Sequence, residues 1–106
     1  MNLISREELK AKLDRGDDFK LVMALGEVAY RIRHIPGSLH FRSPEDVLAA
    51  LKLEDEIVVY CSGLDCMSSA TAYYFLESKG YNNLRRYAGG LADWAEAGYP
   101  FEGERV

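Results

Sequence analysis

A chain of 106 residues, 48% hydrophobic and 28% charged, is long enough to bury one substantial core and too short for two, so residues 1–106 are expected to form a single domain. Thirteen Lys and Arg against 17 Asp and Glu leave a net charge of −4, which excludes a strong field drawing in nucleic acid or an acidic membrane. No apolar run approaches the ~20 residues of a membrane span, and the charged, amphipathic residues 1–15 lack the apolar centre of a signal peptide; a cytoplasmic protein is expected.

Along the chain, Ser5 and Glu8 have capping-box spacing and Leu9 and Leu13 repeat at i, i+4, which predicts a helix over 6–14, stopped at Arg15-Gly16-Asp17-Asp18. The apolar run 19–24 (FKLVMA) and the run 56–60 (EIVVY), with its adjacent β-branched Val58 and Val59, read as buried strands. Between them, 27–33 suits a short helix that ends before His34-Ile35-Pro36-Gly37, because the residue before Pro resists helical angles. Residues 38–41 read as a brief strand. Ser43-Pro44-Glu45-Asp46 then supplies an N-cap, Pro at the first helical position and an acidic first turn for a helix to about Leu51.

After Tyr60, the small-residue stretch CSGLDCMSSA leads into a helix with Ala70, Ala72, Tyr73 and Leu76 on its core face and Gly80 at its end. Residues 84–87 form a short strand, and Ala88-Gly89-Gly90 turns the chain into a last helix over 91–97. Strands separated by helices imply an α/β sandwich of three layers, a central, mainly parallel sheet with helices on both faces.

Two Cys in 106 residues are no disulfide framework, which leaves packing, metal binding or thiol chemistry. Cys61 follows the best-defined strand and precedes a helix N-terminus, where ligands bind in such sheets and where unpaired N–H groups favour a thiolate. Equally, it is a small buried hydrophobe at a strand end. Cys66 reads as a packing residue near the helix start, a resolving thiol or a second nucleophile. A metal centre is not expected: Cys61, Cys66, His34 and His40 are the whole supply of soft ligands, and their spacing matches no known zinc pattern. His34 reads instead as a turn residue whose ring bonds backbone, and His40 as one face of the short strand. Trp94, Tyr73, Phe75 and Tyr87 read as core.

Several separated pieces match one family. ISREELKAKL, AYRIRHIPGSLHF, EIVVYC, ATAYYFLESKGYNNLRRYAGGLADW and AGYP together resemble a single-domain rhodanese, a sulfurtransferase module, over nearly the full length. The resemblance implies a small α/β sandwich and a catalytic Cys after the central strand, here Cys61, within an active-site loop of Ser62, Gly63, Leu64, Asp65, Cys66, Met67, Ser68 and Ser69. It also implies the activity: Cys61 takes the outer sulfur of thiosulfate or a persulfide and passes it to a thiol, cyanide or protein acceptor, with no cofactor. Loop N–H groups would stabilise the persulfide anion.

The chain departs from the family where charge is concerned. Met23 and Leu25 stand where members often carry an Asp-x-Arg pair, and no Lys or Arg lies between Cys61 and Lys79, where the family loop has an Arg. A dianion gains from such a cation, so the sequence argues against a phosphatase and, less firmly, against thiosulfate as donor. Asp65 beside Cys61 would raise the thiol pKa, or it caps the helix and points away. Arg31, Arg33, Arg85 and Arg86 read as solvated surface residues that could compensate only by reaching the loop mouth. Two further readings stay open: a catalytically inactive module that binds a partner, and a redox protein with a Cys61–Cys66 disulfide.

Overall fold

The computed structural model describes residues 1–105. Its centre is a parallel sheet of three strands, β1 (Lys20–Met23), β2 (Ile57–Tyr60) and β3 (Leu84–Tyr87), in the order β1-β2-β3. Val22 pairs with Val59 and Val59 with Arg86, so the carboxyl ends of all three strands lie level. Parallel strands need crossovers, and the connections supply α2 (Glu27–Ile32) and α3 (Pro44–Ala50) before β2, then α4 (Ser68–Ser78) before β3. Two terminal helices complete the set, α1 (Arg6–Arg15) and α5 (Gly90–Glu96).

The period-2 alternation of β2 divides the interior into two cores. Val58 and Tyr60 face a cluster with Ile4, Leu9, Leu21, Met23, Leu91 and Trp94, under α1 and α5. Ile57 and Val59 face Val22, Leu51, Tyr73, Leu76 and Tyr81, under α3 and α4. All four β2 side chains are buried, each contributing about 1.5–3 kcal/mol by leaving water. Helices therefore cover both sheet faces, as the element order implies. Tyr73, Tyr87 and Trp94 are core residues and Phe75 packs at the edge of the second cluster.

Local signals acted as expected at several element ends. The Ser5 hydroxyl accepts from Glu8 N–H and the Ser43 hydroxyl from Asp46 N–H, each capping its helix, and Gly16 closes α1 in the left-handed region at φ 70°. The strand expected at 38–41 is corrected: pairing there shrinks to a single bridge, Leu39 with Val22, because the Pro36-Gly37 turn and the Ser43 cap leave no length for a ladder. On the opposite edge the N-terminal segment does the same, with Leu3 bridging to Arg86. No helix among the described residues is long and apolar enough to cross a membrane.

Candidate active site at the carboxyl end of the central strand

Tyr60 ends β2 level with Met23 and Tyr87, so Cys61 emerges at the carboxyl edge of the sheet between its neighbours. The chain is held there from α5. Leu91 N–H donates to the Cys61 carbonyl at 3.0 Å and Ala92 N–H to the Ser62 carbonyl at 2.9 Å. Gly90 makes this approach possible: it sits at φ 61°, and a Cβ on it would fall against the Cys61 carbonyl oxygen, Ser62 C and Gly63 N. The Gly89-Gly90 pair thus does more than set turn angles, since Gly90 carries α5 onto the backbone of Cys61 and Ser62.

The loop beyond folds back on itself. Cys66 N–H donates to the Gly63 carbonyl at 3.1 Å, and the helix begins only at Ser68, with Met67 as its N-cap. Cys66 therefore lies just before the N-cap, near the helix start as expected, and Ser68 and Ser69 belong to the first turn of α4 instead of the loop. Leu64 and Met67 are 76% and 63% exposed, and Asp65 is exposed too. Asp65 neither caps α4 nor pairs with any group among the described residues, so the carboxylate expected to oppose a thiolate faces water.

The two sulfurs occupy opposite kinds of surroundings. Cys61 is 1% exposed, and its single thiol proton has two acceptors in reach, the Cys66 carbonyl at 3.3 Å and the buried Ser69 hydroxyl at 3.2 Å. Cys66 is half-buried. Burial pushes its thiol up, but hydrogen bonds from the Cys61 thiol, from the Ser62 and Ser68 backbone N–H groups and from the Ser68 hydroxyl outweigh it and bring the pKa down to about 6. The backbone N–H groups of Ser62 and Ser68, expected to serve Cys61, thus act on Cys66.

A cation does reach the site, from β3. Arg86 donates through Nε to Ser69 Oγ at 2.8 Å and through Nη2 to the Cys66 carbonyl at 3.1 Å. The expectation of a solvated Arg86 is corrected. The adjacent Arg85 points elsewhere, to Glu8 and Glu56, while Arg31 pairs with Glu104 and Arg33 stacks over Phe101. Strand alternation separates Arg85 from Arg86, but two neighbouring Arg leave the pattern silent on which of them faces the loop.

Met23, at the place of the family's usual Asp, is buried in the core, and Leu25 packs beside it. A mainly apolar cleft of about 500 Å³ opens on the α3–α4 side, lined by Leu25, Phe41, Val47 and Phe75, with Arg42 also in its wall, and sharing Ser68 and Thr71 with the first turn of α4. Both His rings bond backbone carbonyls: His34 Nδ1 lies 2.7 Å from Tyr30 O, and His40 Nε2 lies 2.8 Å from Leu25 O. His34 matches the expected turn role, whereas His40 ties the loop after β1 and is not part of a strand.

The Rhodanese-like domain family matches residues 5–97, and the chain belongs to that family. The rhodanese-like domain of an Anabaena protein, known from a solution structure, is 26% identical with a TM-score of 0.85, covering 99% of this chain and 81% of that one. A human single-domain sulfurtransferase is 26% identical with a TM-score of 0.75, covering 91% of this chain and 96% of that one. An HTH-type transcriptional regulator of Mycobacterium tuberculosis is 31% identical over 101 residues, 93% of this chain and 44% of the regulator. The chain thus spans less than half the length of that relative.

Proposed function

We propose that this protein is a sulfane-sulfur carrier of the rhodanese type, with Cys61 as the residue that holds the persulfide. Uptake from a persulfide donor balances simply. The Cys61 sulfur attacks the outer sulfur of the donor, an S–S bond forms on Cys61, the donor's own S–S bond breaks, and the donor leaves as a thiol with the proton Cys61 gave up. A thiol, cyanide or protein acceptor then removes that sulfur by the same displacement in reverse.

The observation that carries this reading is the line Arg86–Ser69–Cys61. A hydroxyl 3.2 Å from the Cys61 sulfur is held at 2.8 Å by a guanidinium, so it can turn its own proton toward a sulfur anion with a positive charge behind it. That arrangement supplies some of what the missing loop Arg would have given. It offers no open cation to a dianion, because the guanidinium is already engaged with Ser69 and the Cys66 carbonyl. With Arg86 so engaged, a persulfide donor suits the site better than the dianion thiosulfate.

A second reading, a rhodanese-fold module that binds a partner and regulates it, is favoured by the burial of Cys61 and by the regulator among the relatives. One experiment separates the two. In Cys66→Ser protein, where Cys61 is the remaining thiol, incubation with glutathione persulfide or thiosulfate should give a sulfur-sized mass gain reversed by dithiothreitol, faster from the persulfide. Cys61→Ser should show no comparable gain. Absence of uptake by Cys66→Ser, or equal uptake by Cys61→Ser, would overturn the carrier reading and leave the regulatory one.

A further inference from the structure

We infer that Cys66 is a second functional thiol, which discharges the persulfide formed on Cys61 by closing a disulfide with it and releasing hydrosulfide. The inference rests on the carrier reading above and adds to it a reaction that needs no external acceptor at the site.

The loop geometry leads to it. A loop that ran straight into α4 would carry Cys66 away from Cys61, but the turn closed by Cys66 N–H on the Gly63 carbonyl brings it back over the strand end. The Cys61 sulfur then lies 3.3 Å from the Cys66 carbonyl oxygen, so the backbone of the second Cys is in contact with the first thiol. Arg86 fixes this arrangement by holding the same carbonyl from β3. A disulfide needs the two Cα atoms within about 7 Å, which a curled connection permits and a straight run into the helix does not.

Accessibility points the same way. Cys61 is 1% exposed, which favours a nearby thiol over a large acceptor for the sulfur it holds, while Cys66 is partly open to solvent. The groups around Cys66 suit a nucleophile: two backbone N–H groups and a hydroxyl turn toward its sulfur, and its low pKa leaves it mainly thiolate at neutral pH.

The chemistry balances without another participant. The Cys66 thiolate attacks the inner sulfur of the persulfide, the Sγ of Cys61, forming the Cys61–Cys66 bond. The bond from Cys61 to the sulfane sulfur breaks, and that sulfur leaves as hydrosulfide with its proton and the electron pair. Two cysteine sulfurs are oxidised and one sulfane sulfur is reduced. Over both steps, a donor persulfide and two protein thiols become a donor thiol, hydrogen sulfide and a protein disulfide. A dithiol reductant of the class that opens protein disulfides returns the chain to its starting state.

The test is a single turnover of the full chain with glutathione persulfide under anaerobic conditions, following hydrosulfide, free thiols and intact mass. Wild type should release stoichiometric hydrosulfide, lose both thiols together and yield a peptide pair linked between Cys61 and Cys66. Cys66→Ser, with Cys66→Ala as a second variant free of a competing hydroxyl, should keep the sulfur adduct and release no hydrosulfide. If wild type holds the adduct as long as Cys66→Ser does, the inference falls and the carrier reading stands. If neither Cys66 variant takes up sulfur, the carrier reading falls and this inference with it.

Discussion

Two sulfurs five positions apart differ in what they are given by their neighbours. Cys61 has the Cys66 carbonyl and the Ser69 hydroxyl within reach of its sulfur, whereas Cys66 receives hydrogen bonds that favour its anion. The consequence is a pH dependence of definite sign. With the Cys66 pKa brought down to about 6, thiolate outnumbers thiol by about tenfold at pH 7. Alkylation of Cys66 by iodoacetamide should therefore rise through slightly acid pH and level off near neutrality, while in urea the rise should centre near the ordinary thiol value of about 8.5. Peptide mapping of the alkylated chain measures both, and identical profiles with and without urea would contradict the assignment. Since the folded pKa is the lower one, Cys66 contributes stability above the unfolded pKa that is lost as pH falls through about 6.

Among the elements, the closing contact between α5 and the strand end governs the site. Gly90→Ala meets both a left-handed backbone angle and an occupied space, since its Cβ would press on the Cys61 carbonyl. It should cost at least about 1–3 kcal/mol and shift the loop, seen as a lowered urea midpoint and faster alkylation of Cys61. Gly16→Ala is the control: the same left-handed region at φ 70° with nothing near its Cβ, so a cost of about 1 kcal/mol and no change at Cys61. The strand-loop-helix around Cys61 was legible because its signals are local: a β-branched run, small residues, then a helical core face. Arg86 was not, because its partners Ser69 and the Cys66 carbonyl belong to another segment and no spacing rule connects them. The strand expected at 38–41 failed for the same reason, since pairing is decided by the neighbour and not by the alternation alone.

For the molecule as a whole, the sheet separates two cores that share only their strands. Leu9 lies under α1 in one and Leu76 on α4 in the other, both buried. Leu9→Ala and Leu76→Ala should each cost about 2–5 kcal/mol by chemical denaturation. The double variant should show their sum to within about 0.5 kcal/mol, because the sites share no partners. A clear departure from additivity would mean that the two faces are coupled through β2. Total stabilities of about 5–15 kcal/mol leave little margin for the double variant, so both single variants must be measured first.

By itself, the amino-acid sequence determined the order of strands and helices, the parallel α/β class, the family and the strand-end position of Cys61. The family follows from resemblance of separated sequence pieces, and the others from side-chain period, capping residues and turn chemistry, which act over a few residues. Tertiary structure alone decided that the loop turns back, that the N–H groups serve Cys66 and that Arg86 arrives from β3. Those facts depend on hydrogen bonds between segments up to 20 positions apart, whose energies are collected only once the sheet has brought the segments together.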